Sequence, residues 1–234
     1  MNLFRGERRP LVIAHRGAAA LAAENSREAL QAGAVSGADI VEFDISPGLL
    51  VGHSERELPA EALTLDEALE ELEPHAVGLH LDVKLPGYED GVVAALRRHR
   101  ITDRAYVSSA YAATTRRFAE LAPGLQTAIG YPRDRLGVAR APWPAPLTRA
   151  GAAALRGAMP ARIPILLRFA RADALSLLHT LCSRAAVATA HRLGAPVLAW
   201  TANETAAIRR LSAIGVDAVV SDDPEKTLAT LTEL

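Results

Sequence analysis

The chain has 234 residues, 26 basic and 27 acidic side chains for a formal net charge of −1, and half of its residues are hydrophobic. Balanced, interspersed charge offers no field that would hold a polyanion through counterion release, which argues against nucleic acid as a partner. No apolar run reaches the roughly 18 to 20 residues that cross a bilayer, and no basic amphipathic segment suggests a stable membrane contact.

A lone cysteine, Cys182, cannot form an internal disulfide and reads as a small core or helix residue. The N-terminal stretch MNLFRGERRP is charged, and the apolar run after it is broken at His15-Arg16, so no secretory core can be drawn. Both features point to a soluble protein of the reducing cytoplasm.

Short β-rich runs alternate with Ala, Leu, Arg and Glu-rich helical segments along the chain, the pattern of repeated βα units on a parallel sheet. Strands are expected at 11–14, 39–44, 77–84, 105–108, 126–129, 174–178, 196–201 and 218–221. Helices are expected at 26–35, 65–72, 89–99, 112–121, 147–158, 182–193, 204–214 and 224–231. Asn25 or Ser26, Thr64 and Asn203 stand where N-caps are wanted, Pro224 near a first helical position, and Gly37, Gly194 and Gly215 where helices stop. Between 131 and 171 a Pro-rich loop around Trp143 follows the fifth strand, and RIPILLR could add a strand. Eight units in a chain close to the ~250 residues typical of the fold predict a single-domain TIM (β/α)8 barrel over 1–234, with a short insertion after strand 2. Polar residues at the C-terminal strand ends are then the candidates for chemistry.

The first strand ends in His15-Arg16-Gly17, an acid/base group beside an anion clamp. The second carries Glu42 and Asp44 on one face, about 6.6 Å apart along the chain, and the excursion after it brings His53. An E-x-D pair can simply decorate a solvent-facing strand end. Here the third strand, HLDVK, adds Asp82 and Lys84 on its own matching face, and Lys84 is one of only two lysines. Hard oxygen donors converging in this way suit Mg²⁺ or Ca²⁺. His80, deeper on the third strand, reads as a hydrogen-bonded core histidine. Trp200 ends the seventh strand and serves equally as a pocket wall or as core. His75, His99, His179 and His191 fall at helix ends or on the surface.

HRG followed by ENS, GADIVEFD, a later histidine, D-V-K in a strand, WTAN and GVDAVVSDDPE occur in this order over most of the chain. Together they resemble the glycerophosphodiester phosphodiesterases, metal-dependent barrels related to phosphatidylinositol-specific phospholipase C. The resemblance implies His15 and His53 as general acid/base residues and Glu42, Asp44 and Asp82 as ligands of one divalent cation. It implies Arg16 and Lys84 as phosphate-binding cations, with the Glu24-Asn25 pair close to the site, and Glu24 and Trp200 are counted with the substrate-binding group. Three departures stand out: Asp82 where the family has Glu, Ser54 where it has Asp after the histidine, and a short insertion between Ile45 and Leu63. The short insertion predicts little discrimination among headgroups. The implied reaction is hydrolysis of a glycerophosphodiester to an alcohol and glycerol 3-phosphate. A phosphodiester-binding barrel without chemistry, or a phosphodiesterase acting on lysophospholipid headgroups, are the alternatives.

Overall fold

The computed structural model describes residues 9–54, 58, 61–133 and 145–234. Eight parallel strands among these residues close into a barrel: β1 (Leu11–Ala14), β2 (Ile40–Ser46), β4 (Gly78–Val83), β5 (Ala105–Ser109), β6 (Gln126–Tyr131), β7 (Ala174–Leu178), β8 (Val197–Trp200) and β9 (Ala218–Ser221). Each pairs with its neighbour in order, and β1 pairs with both β9 and β2, which completes the ring. Helices α1 (Arg27–Val35), α2 (Leu65–Leu72), α3 (Glu89–Arg98), α4 (Ala112–Leu121), α5 (Ala145–Ala170), α6 (Arg184–Arg192) and α7 (Thr205–Ile214) connect the strands, and α8 (Pro224–Thr232) follows the last of them.

The period of two along each strand sorts the side chains. Val41, Phe43, Ile45, Leu79, Leu81 and Val107 point outward and pack under the helices with Leu65, Leu69, Val92 and Phe118. Leu11, Ile13, Ile40, Tyr106, Leu198 and Val220 point inward and fill the barrel axis. Toward the C-terminal strand ends the inward positions turn polar, at Glu42, Asp44, His80 and Ser108, and these polar groups are buried too. His80 fits its expected core role: its ring stacks on Tyr106 with centroids 4.3 Å apart.

The opposite end of the barrel is stitched by a recurring device. Asp39, Asp173 and Asp217 each stand just before a strand and accept a hydrogen bond from a backbone N–H of the strand before it, at Val12 (2.7 Å), Thr127 (2.8 Å) and Val197 (2.8 Å). The same three aspartates donate their own backbone N–H to the carbonyls of those same residues, at 2.9, 3.0 and 2.9 Å. Three seams, β1–β2, β6–β7 and β8–β9, are therefore closed by two reciprocal bonds apiece at their starts.

Ser26 caps α1, Thr64 forms a reciprocal capping box with Glu67 at α2, and Asp223 caps α8 with Pro224 in its first turn. Gly215 ends α7 in the left-handed conformation at φ 81°. Asn203 does not cap α7; that position belongs to Glu204, and the Asn203 side chain turns toward β9 instead. RIPILLR is not a strand. It lies in α5, which runs for 26 residues through Pro160 and Pro164. An interior proline costs a helix about 3 kcal/mol, but Met159, Ile163, Leu167 and Ala170 form a buried stripe at helical spacing, and that packing holds the segment helical. Trp143 lies outside the described residues. Cys182 is free and buried, and burial pushes its thiol up to about 12. No helix among the described residues is long and apolar enough to cross a membrane.

The excursion after β2 begins as a hairpin: the short β3 (Leu50–Val51) returns antiparallel to β2, and Ser46 Oγ donates to the Gly52 carbonyl. This fold-back carries the chain to His53 at the barrel mouth.

Candidate active site

The parallel register fixes the carboxylates first. β2 and β4 pair Glu42 with His80 and Asp44 with Asp82, so both acid-bearing strands end at one level. One oxygen from each of Glu42, Asp44 and Asp82 lies within 4.8 Å of the other two.

The turn after β1 wraps around the end of β2. Arg16 and Gly17 have φ of 51° and 87°, and a Cβ on Gly17 would sit 2.3 Å from the Ala29 carbonyl carbon, so only glycine fits. The close approach lets the Gly17 N–H donate to the Glu42 carbonyl and the Arg16 N–H donate to Glu42 Oε2, at 2.8 and 2.7 Å. The Arg16 guanidinium then reaches Glu24 at 2.6 Å, Asp44 at 3.1 Å and His53 Nδ1 at 3.0 Å. Buried Asn25 donates to Asp44 Oδ2 and accepts from the Asp44 N–H, holding that carboxylate from behind.

Lys84 lies between two carboxylates, 2.5 Å from Asp44 Oδ1 and bonded to Asp82 Oδ2. Ser108 donates to the other Asp82 oxygen, and His80 Nε2 lies 2.7 Å from Ser108 Oγ. Since Ser108 has one proton and gives it to Asp82, Nε2 of His80 is the N–H that feeds the chain. His15 Nδ1 lies 2.5 Å from Asp222, leaving Nε2 facing the carboxylates, 4.0 Å from Glu42. Asp222 is held in turn by Asn203, through its carboxylate and its backbone N–H.

His53 Nδ1 lies 3.3 Å from Asp44 as well as beside Arg16. A neutral ring accepts from the guanidinium, and a protonated one pairs with Asp44. Ser54 thus leaves the imidazole with partners, drawn from β2 and from the turn after β1.

The electrostatics follow from burial and spacing. Burial, with Asp44 alongside, holds the Glu42 carboxyl well above the usual carboxylate range. Burial pushes Asp44 the same way, but Lys84, His53 and Arg16 outweigh it and keep Asp44 well below that range. Asp82 is partly buried, which raises it, but Lys84 outweighs this and brings it below its ordinary value. For His15, burial opposes the charged ring, yet the bond to Asp222 and the field of Glu42 prevail and raise it. Burial is the main cause that takes His80 down to about 4, with Asp82 opposing it and Lys84 adding to it, so the ring is neutral. The donor set suits a hard divalent cation: three carboxylates converge, and Glu42 faces no direct ammonium or guanidinium partner among the described residues.

A cavity of about 630 Å³ opens at this end, lined by His15, Arg16, His53, Lys84, Trp200 and the three carboxylates. Of the residues the sequence nominates, Glu24 is outside its wall: its half-exposed carboxylate engages Arg16. Trp200 is a wall, and its buried indole N–H has no hydrogen-bond partner among the described residues. Asp222 and Asn203 complete the site from the SDDPE and WTAN stretches at strand ends, Asp222 not having been expected there and Asn203 having been expected only as an N-cap.

The sequence profile of the Glycerophosphoryl diester phosphodiesterase family matches residues 51–226. A Bacillus subtilis (strain 168) protein assigned by name to the glycerophosphodiester phosphodiesterases, YhdW, is 24% identical over 252 residues, covering 92% of this chain and 95% of its own. A glycerophosphodiester phosphodiesterase of Parabacteroides distasonis superposes with a TM-score of 0.75 at 18% identity, over 97% of this chain and 99% of that one. A phosphodiesterase of Oleispira antarctica, solved in complex with its product sn-glycerol-3-phosphate, superposes with a TM-score of 0.74 at 21% identity, over 96% and 97%. With most of its length matched by the family profile and its barrel shared with these structures, the chain belongs to the glycerophosphoryl diester phosphodiesterase family.

Proposed function

We propose that this phosphodiesterase hydrolyses glycerophosphodiesters to an alcohol and glycerol 3-phosphate, with one divalent cation and two histidines. The observation that carries the reading is the convergence of three carboxylates, two imidazoles and two cations on one cavity. The product bound by the Oleispira antarctica phosphodiesterase supports the same substrate class.

Glu42, Asp44 and Asp82 would hold the ion, Mg²⁺ or Ca²⁺ by the hardness of their oxygens. When bound, the ion supplies positive charge to the phosphoryl oxygens. Arg16 and Lys84 stand beside that position and lower the cost of charge building on phosphate. His15 presents Nε2 to the cavity and gives or takes a proton there, with Asp222 fixing the ring. His53, at the Asp44 side, takes the complementary step. Trp200 offers an apolar wall to the glycerol arm, and Glu24 acts through Arg16. The reading assigns the chain to one domain over 1–234, in a reducing cytoplasm where Cys182 stays a thiol.

The test is incubation of the purified protein with glycerophosphoglycerol and glycerophosphocholine, with and without EDTA, measuring released glycerol phosphate. Release that EDTA abolishes and added Mg²⁺ or Ca²⁺ restores is expected. Absence of release with every ion overturns the reaction, and release indifferent to EDTA overturns the metal.

A further inference from the structure

The cavity holds one more cation, and its surroundings differ from those of the other two. Arg16 is matched by Glu24 and Asp44, and Lys84 by Asp44 and Asp82. Arg133, on the connection after β6, lines the same cavity, and among the described residues no carboxylate forms an ion pair with it. Its guanidinium carbon lies over the Tyr111 ring, 3.8 Å from the centroid.

That stacking positions the arginine. The Tyr111 backbone N–H donates to Ser109 Oγ at 3.2 Å, and Ser109 Oγ donates to the Val83 carbonyl at 2.7 Å, so the residue bearing the ring is tied to the β4–β5 seam. A guanidinium stacked by its face keeps its N–H donors radiating in its plane, where they can grip a planar or tetrahedral anion in two places at once.

We propose that Arg133 is a specificity-determining residue that selects glycerophosphodiesters whose headgroup carries a second anionic group, a phosphate monoester above all. The scissile phosphate lies against Arg16 and Lys84, and the headgroup extends across the cavity toward Arg133. A choline headgroup meets a cation there. Neutral headgroups are treated alike, so the tolerance expected from the short excursion after β2 holds for shape and fails for charge. The inference rests on the phosphodiesterase reading above.

Two substrates that differ by one phosphate, glycerophosphoinositol 4-phosphate and glycerophosphoinositol, isolate the effect. The expected result is a kcat/KM at least tenfold higher for the phosphorylated compound with the wild type, and a ratio within about twofold of unity for Arg133→Gln. Tyr111→Leu, which removes the platform and keeps the charge, falls between them. Equal values for the two substrates with the wild type, or an unchanged ratio in Arg133→Gln, overturn the assignment. Calorimetric Kd values for the same two compounds separate it from the underlying reading. Should the wild type cleave neither, tenfold tighter binding of the phosphorylated one, lost in Arg133→Gln, keeps the role of Arg133 and refutes hydrolysis; equal Kd values refute the role of Arg133.

Discussion

At the scale of single residues, the site is organised by pairs in which one side chain fixes another. Asp222 accepts from His15 Nδ1, and Asn203 fixes Asp222. The carboxylate therefore sets which ring nitrogen faces the cavity, and an amide in its place can present its NH₂ to Nδ1 and reverse the tautomer. A positioned acid or base contributes roughly 10² to 10⁴ in rate, and part of that depends on the orientation of His15. Asp222→Asn is expected to lower kcat by at least about tenfold with KM little changed, since Asp222 is not placed against the phosphate. Steady-state kinetics decide it, and an equal rise in KM would assign Asp222 to substrate binding instead. His15, Glu42, Asp44 and Asp82 could be picked out because strand periodicity and the strand-end rule apply to residues one at a time. The function of Asp222 could not, because it depends on Nδ1 of a residue 207 positions away, a relation that only closure of β9 against β1 creates.

At the scale of elements, the strands fall close to where alternation and turn residues place them, because a buried parallel strand leaves little choice of residue type. The expected strand at 39–44 is observed as Ile40–Ser46, and that at 77–84 as Gly78–Val83. The discrepancy in α5 has a physical origin: Pro160 and Pro164 are strong local stop signals, while the stripe from Met159 to Ala170 acts only through packing against the barrel. The aspartate clamps also escape a reading by residue type, since an Asp before a strand looks like a turn residue until its neighbour strand is known. Asp217 gives a direct measure of a clamp. It is largely buried and receives the Val197 N–H and, at 2.6 Å, His191. Leaving a buried donor unpaired costs about 1 to 3 kcal/mol, so Asp217→Ala should lose about that much stability, with roughly 2 to 4 °C in Tm per kcal/mol for a chain of this size. Chemical denaturation of the variant beside the wild type measures the loss; a change below about 0.5 kcal/mol would mean that the clamp is replaced by water.

At the scale of the whole molecule, the barrel's two ends are built on opposite principles. At the N-terminal strand ends each aspartate has backbone donors to accept, and the seams are closed by reciprocal bonds. At the C-terminal ends three carboxylates converge, and one of them, Glu42, resists ionisation because burial and Asp44 both oppose its charge. A divalent cation held there would relieve that repulsion in the folded state alone, since the unfolded chain does not bring β2 and β4 together. Ligand binding to the native state stabilises it by about 2.7 kcal/mol when the free ligand is at 100 times its Kd, which corresponds to roughly 5 to 11 °C in Tm. Mg²⁺ or Ca²⁺ should therefore raise Tm, EDTA should reverse the rise, and Glu42→Ala or Asp44→Ala should abolish it. Because effects at distant, unconnected sites add to within about 0.5 kcal/mol, Asp217→Ala should lower Tm and leave the ion-induced increment intact. Differential scanning calorimetry of wild type, Asp44→Ala and Asp217→Ala with and without ion tests both ends together. An increment that survives in Asp44→Ala would place the cation elsewhere on the molecule, and one that vanishes in Asp217→Ala would mean that the two ends of the barrel are energetically coupled.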